Sequence, residues 1–207
     1  MTAVVGSPED AINVALTRIG YRTRVANIFE GTTGANAALN IYSQTRDQLL
    51  AVNDWGFSER NIAMTLLKAA PVAGYIPPTV WSGTLNPPIP WRFEYAYPSD
   101  CIKIRAVKPT PLFLPNFDPQ PSLFDVPNDN YLVPPQRVIV CNVPNALLVY
   151  TGQITDLTTW DSECIDALVD ELGKALAPAL ADLQTMQMIT AEGVQSKKDA
   201  ATESNHG

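Results

Sequence analysis

Near the N-terminus the apolar positions recur at helical spacing. In "SPEDAINVALTRIG", Ile12, Leu16 and Ile19 form one stripe, with Ala11 and Ala15 beside it. Ser7 reads as an N-cap, Pro8 suits the first helical position, and Glu9 and Asp10 suit the positive end of the helix dipole. Gly20 supplies the C-terminal stop. A second helix is predicted from Thr32 or Thr33 to about Asn53, with Ala38, Ile41, Tyr42, Leu49 and Val52 on its buried face. Arg46 lies on the same stripe as Tyr42, Leu49 and Leu50. A charge there needs a partner, because a buried unpaired charge is costly. Tyr42, one turn earlier, is at cation–π distance, and Asp47 or a carboxylate from another helix can pair with it. Trp55 and Phe57 then end the helical pattern, and Gly56 is expected to permit the bend.

From there the period changes. "FSERNIAMTLL" reads as a strand with Ile62, Met64 and Leu66 alternating. "WRFEYAY" puts Trp91, Phe93, Tyr95 and Tyr97 on one face and Arg92, Glu94 and Ala96 on the other. "PSD" turns the chain, and "CIKIRAV" sets Ile102, Ile104 and Ala106 against Lys103 and Arg105. Residues 108–135 are proline-rich and irregular. "RVIVCNV" and "ALLVYTG" read as a hairpin around Pro144 and Asn145. A third helix is capped by Thr159 or Asp161, carries Ile165, Leu168, Leu172 and Leu176 as its stripe, and ends or kinks at Pro178. A fourth is predicted from about Leu180 to Val194, with Leu183, Met186 and Ile189 inward, before a polar tail that frays.

Sixteen of the 18 prolines fall between Pro71 and Pro144, which excludes long helices from the middle of the chain. The pattern is therefore α+β: a helical bundle formed by N- and C-terminal helices with a β-rich, proline-rich insertion. Residues 1–56 and 156–207 form the bundle and 57–155 the insertion, intertwined as one domain. The 207 residues suffice for a core without disulfide staples.

Charge and cysteine content narrow the function. A net charge of −7 argues against a surface that grips nucleic-acid phosphates from outside, though it permits one past which DNA slides. Cys101, Cys141 and Cys164 give neither a disulfide framework nor a metal pair and read as buried thiols. No signal peptide, membrane span, metal site or cofactor is expected. The sole histidine, His206, sits in the polar tail, which removes the usual base of a Ser or Cys triad. "GTTGAN" (31–36) lacks the lysine of a phosphate loop and reads as a turn with a Thr cap. "DVPNDN" (125–130) lacks the spacing and glutamate of a calcium loop. Glu163, Asp166, Asp170 and Glu171 lie opposite the leucines of the third helix, as on a solvated face. A glycan hydrolase using those carboxylates is one alternative. A sugar- or peptide-binding module using the aromatic strand is another.

Four segments, "AINVALTRIGY", "ALNIYSQTRDQLLAVNDWGFSERNIAMTLL", "WRFEYAYPSDCIKIRAV" and "YTGQITDLTTWDSECIDALVDELGKALAPALA", together carry a resemblance. In that order they resemble the head-to-tail adaptor proteins of tailed bacteriophages, of the tail tubular protein A or gatekeeper type found in short-tailed phages. The family pattern falls here on Ile19-Gly20, Tyr42, Arg46-Asp47, Leu50, Trp55, Phe57, Tyr97, Ser99, Asp100 and Cys101. In two places the chain departs from it: Pro98 follows Tyr97 directly, and Asn53-Asp54 stands where the family often has His-Pro. The resemblance implies a non-enzymatic virion protein at the head–tail junction, made in the host cytoplasm. It implies a ring, typically a dodecamer, docked beneath the portal protein and receiving the tail nozzle or tail tube protein. Genomic DNA passes its lumen without sequence-specific binding, and no membrane is involved. Another connector role, head-completion or tail-completion, is the near alternative. Tyr42, Arg46, Asp47, Trp55 and Phe57 read as a fold signature rather than an active site. Segments expected to order against partners are the proline-rich loop 108–136, with Phe113, Phe117 and Phe124, and the C-terminal stretch with Met186, Met188 and Val194.

Overall fold

The computed structural model describes residues 5–72, 80–110 and 120–180. Phe113, Phe117, Met186, Met188, Val194 and the expected fourth helix and tail lie outside the described residues. The architecture is α+β, with three helices and two antiparallel sheets among the described residues. The chain divides into two compact units. The first combines Met1–Leu49 with Thr155–Gly207, and the second is continuous from Leu50 to Ile154.

In the first unit, α1 spans Pro8–Arg18 and is closed at both ends by its own sequence. The Ser7 hydroxyl accepts from the Asp10 N–H at 3.1 Å while the Asp10 carboxylate accepts from the Ser7 N–H at 3.2 Å. At the other end Gly20 has φ +79°, with its N–H donating to Thr17 O and that of Tyr21 donating to Leu16 O. α2 runs Thr33–Val52. It buries Ala38, Tyr42, Leu49 and Leu50, but of the expected face Ile41 is only half-buried and Val52 is 73% exposed, so the buried stripe stops at Leu50. A 3-10 turn over Leu157–Thr159 leads into α3, over 162–180, whose first turn is opened by the Asp161 carbonyl. Leu168, Leu172 and Leu176 are buried and Ile165 half-buried, with Cys164 and Val169 completing the inner face. Pro178 does not end the described helix. It and Lys174, four residues before, are both on the solvent face, where a carbonyl that loses its N–H partner to a proline costs least.

Among its described residues the second unit has eight strands: β1 Glu59–Ala63, β2 Leu66–Ala69, β3 Phe93–Ala96, β4 Cys101–Lys108, β5 Phe124–Asp125, β6 Asn128–Asp129, β7 Gln136–Cys141 and β8 Leu147–Gly152. β1, β8 and β4 form one sheet in that order. β2, β3, β7 and β5 form the other, with β6 also paired to β7. Met64, Tyr95, Ile139 and Cys141 meet Val107, Leu148 and Tyr150 in one buried cluster, against which Phe93, Tyr97, Ile104 and Phe124 pack.

Three expectations fail here, the first two because pairing partners are remote in sequence and the third because of irregularities in one ladder. "RVIVCNV" and "ALLVYTG" are not a hairpin. β7 pairs with β3 and β8 with β1 and β4, so the turn at Pro144 and Asn145 carries the chain from one sheet to the other. The predicted strand over 57–67 splits into β1 and β2, which join different sheets. Met64 at the crossover is buried, whereas Ile62 and Leu66 are 37% and 51% exposed. In β4, register shifts after Cys101 and after Ile104 break the alternation, so neighbours Ala106 and Val107 are both buried. The proline-rich stretch is also less irregular than expected, since β5 and β6 lie within it.

Candidate functional site

α2 brings Tyr42, Arg46 and Asp47 together. Tyr42 is 4% and Arg46 7% exposed, and the guanidinium carbon sits 5.9 Å from the Tyr42 ring centroid. Arg46 Nε and Nη2 each reach Asp47 Oδ1 at 2.8 Å. The charge thus finds its partner on its own helix. The Tyr42 hydroxyl is buried without a hydrogen bond, and burial pushes its pKa up to about 12, so it stays neutral.

Trp55 and Phe57, both half-buried, are tilted rings 6.2 Å apart, Trp55 capping a 3-10 turn, Gly56–Ser58, and Phe57 within it. The bend does not depend on the glycine. Gly56 has no positive φ, and open space surrounds it. What holds the turn is Arg105, which sequence alternation placed on a polar face. Its Nη2 donates to Trp55 O at 2.7 Å and to Ser58 Oγ at 3.1 Å, its Nη1 to Glu59 at 3.1 Å, and its Nε to Thr151 Oγ1 at 3.0 Å. Asp54 lies 3.6 Å from the same Nε and pairs with Lys103 at 3.0 Å. The planar fork of one arginine therefore ties the turn to β1 and β8.

The most unusual chemistry is a buried charge cluster that no motif announced. Lys68 of β2, Glu94 of β3 and Asp129 of β6 are 8%, 1% and 7% exposed. Lys68 Nζ contacts Asp129 Oδ2, donates to Gly83 O at 2.9 Å and lies 3.3 Å from Glu94 Oε1. Neither Glu94 oxygen accepts a well-formed hydrogen bond. Glu94 was expected on a polar face. Loop 81–88, fastened by Lys68 to Gly83 and by Tyr131 against Gly83, and residues 127–131 instead enclose it with a cavity of about 140 Å³. Its walls include Trp81 and Tyr131, edge to face at 6.5 Å between centroids. The visible signals were a glutamate inside "RFEYA" and a lysine inside "LLKAA".

Desolvation pushes the Glu94 carboxyl up, Lys68 opposing and Asp129 adding to the rise. Burial also acts to raise Asp129. The Lys68 ammonium and the Tyr131 N–H outweigh it and hold Asp129 below its ordinary value. The unfolded chain loses the Glu94 proton near pH 4.5 while the folded chain keeps it to higher pH. Glu94 therefore stabilises the fold below that pH, and the contribution is lost as pH rises through the folded value. Asp129 acts oppositely, its contribution vanishing as pH falls below 3.8. Urea unfolding between pH 4 and 8 should show the stability of the wild type, relative to Glu94→Gln, declining as pH rises. A constant difference would remove this assignment.

The other sequence candidates are structural. Thr32 Oγ1 accepts from the Ala35 N–H at 3.3 Å, capping α2, and Gly31 adopts φ +77°. Asp166 and Asp170 are exposed and pair with Arg18, Asp166 at 3.1 Å. The aromatic strand is a core face, with Tyr95 1% exposed and donating to Val143 O at 2.7 Å. Phe124 packs beside it, while Leu123 is 85% exposed. Cys141 and Cys164 are buried, and burial pushes the Cys164 thiol up to about 12, far from a reactive thiolate. Among the described residues no group of His, Cys, Asp and Glu has the arrangement of a metal site, and no helix is long and apolar enough to cross a membrane. No family model matches the chain, and neither does any curated protein.

Proposed function

We propose that the chain is a structural virion protein, the subunit of a head-to-tail adaptor ring that joins a phage portal to its tail and extends the DNA channel. The observation that carries the reading is the order of the resembling segments along the chain. The side chains that bear the resemblance support it by their chemistry. Arg46 pairs with Asp47 and lies over the Tyr42 ring, and Trp55 and Phe57 belong to a turn held by Arg105. These are nodes of architecture, as the family pattern implies, and their one carboxylate, Asp47, is taken up by Arg46. The division of the chain fits the same reading, in which helices from both ends form a bundle and the continuous middle is a β-rich insertion. The function is then assembly, with an acidic subunit presenting a lumen that repels DNA and lets it pass. Mixing the purified protein with the portal ring encoded by the same genome tests it. Native mass and negative-stain images should show a stoichiometric second ring beneath the portal. A protein that stays a lone monomer would overturn the adaptor assignment and point to a later tail component.

A further inference from the structure

Charge balances in the Lys68 cluster when one carboxyl keeps its proton. Two carboxyls and one ammonium share a space in which Lys68, Glu94 and Asp129 are 8%, 1% and 7% exposed. A second buried anion would have no counter-ion of its own, and such a charge is costly. The geometry decides which group holds the proton. Asp129 accepts from the Tyr131 N–H at 2.8 Å and contacts the Lys68 ammonium. Glu94 lies 3.3 Å from that ammonium, and neither of its oxygens accepts a well-formed hydrogen bond. Asp129 is therefore the anion and Glu94 the neutral acid, in keeping with the opposite shifts of their carboxyls. Among the described residues these are the charged groups that act on Glu94, Lys68 from β2 and Asp129 from β6. Loop 81–88 has no ionisable side chain, β7 sets Val140 opposite Glu94 and Val138 in the cavity wall, and the segment 127–131 adds Tyr131.

The same ammonium fastens a piece of chain. Loop 81–88 is braced within itself. The Trp81 indole donates to Pro87 O at 2.8 Å, the Asn86 N–H to Ser82 O at 2.8 Å and the Ser82 N–H to Asn86 Oδ1 at 3.1 Å. It is joined to β2 by the hydrogen bond from Lys68 Nζ to Gly83 O at 2.9 Å. Gly83 lies so close to the Tyr131 ring that a Cβ would collide with it, and Trp81 meets the same ring edge to face at 6.5 Å. A compact loop held together by its own side chains can be displaced as one piece.

We propose that loop 81–88 is a lid over the Glu94 cavity, latched while Glu94 carries its proton and released when that proton is lost. An ionised Glu94 needs hydrogen-bond donors. The ammonium can turn to it by giving up Gly83 O or Asp129, and water can reach it by displacing the loop. Either way the latch loosens. In the open form Glu94 is solvated and titrates near its ordinary value of 4.5, whereas the closed form holds the proton to higher pH. Closure is therefore fully favoured below 4.5 and is lost as pH rises through the closed-form value. Between the two, the closed-to-open ratio falls about tenfold per pH unit. The inference goes beyond the adaptor assignment and does not depend on it.

Full-length protein carrying 5-fluorotryptophan and carboxyl-labelled glutamate would be followed by NMR from pH 5 to 9. The Trp81 fluorine resonance, assigned with Trp81→Phe, should move as the Tyr131 ring leaves it, with the same midpoint as the Glu94 carboxyl carbon. Glu94→Gln should hold that resonance at its low-pH position throughout. Amides of β7 and β8 should keep their exchange protection, because the opening is local. A Trp81 signal that stays in place to pH 9, a midpoint different from that of Glu94, or the same movement in Glu94→Gln would overturn the lid. So would loss of β7 and β8 protection at the same midpoint, since the proton would then govern the whole unit rather than the loop. If Glu94→Gln does not fold, the coincidence of the two midpoints in the wild type decides the matter.

Discussion

Replacing Lys68 with methionine should lower the unfolding free energy of the second unit by about 3–5 kcal/mol. The substitution leaves Glu94 and Asp129 in the same dry space without their cation and releases Gly83 O, which fastens loop 81–88. The size follows from desolvation. Taking one partner from a buried charge cluster strands the others, whereas removing all the charges together is often close to neutral. The combined change Lys68→Met, Glu94→Gln, Asp129→Asn should therefore recover most of the loss. Urea denaturation near pH 7 measures both. A loss below about 1 kcal/mol in the single variant would show that water reaches the cluster.

Replacing Arg105 with methionine should cost about 3 kcal/mol. The side chain is nine-tenths buried and gives hydrogen bonds to Trp55 O, Ser58 Oγ, Glu59 and Thr151 Oγ1. Ser58 and Thr151 are completely buried, so the loss of their shared donor is not made good by water. Arg105→Lys should restore less than half of it, because a single ammonium cannot span acceptors on the turn, β1 and β8 at once. Thermal melts give the magnitude. Amide exchange should quicken over residues 55–60, and unchanged protection there would contradict the role given to Arg105.

The parts of the fold that depend on near neighbours were readable from the chain. Ser7, Asp10 and Gly20 bound α1 through contacts no more than five residues long, so their chemistry is written locally. The leucines of α3 were equally plain, since helical periodicity tracks burial there, whereas in β3 the alternation found Tyr95 but missed the burial of Glu94 beside it. Sheet membership was not. Two adjacent apolar runs around a Pro-Asn turn look alike whether they pair with each other or part company, and β7 and β8 part company. The charge cluster escaped for a related reason. Lys68, Glu94 and Asp129 come from three separate strands, and none belongs to a recognisable spacing. Arg46 could be read because its partners, Tyr42 and Asp47, are on its own helix. Arg105 could not, because its partners lie 46 to 50 residues away along the chain.

The pairing of β1 with β8 bears on the order in which the protein assembles itself. The first unit is interrupted by the whole of the second, from Leu50 to Ile154. Bringing the ends of a flexible segment of that length together costs about 4 kcal/mol of chain entropy. In the second unit Glu59 stands opposite Thr151, so the points where the chain arrives and departs are hydrogen-bonded neighbours. Once this unit has folded, that entropy is already spent. Because its residues are continuous, it can fold on the ribosome while α3 is still being made. The N-terminal helices must wait for α3, and the β1–β8 ladder is what keeps the wait from becoming a search.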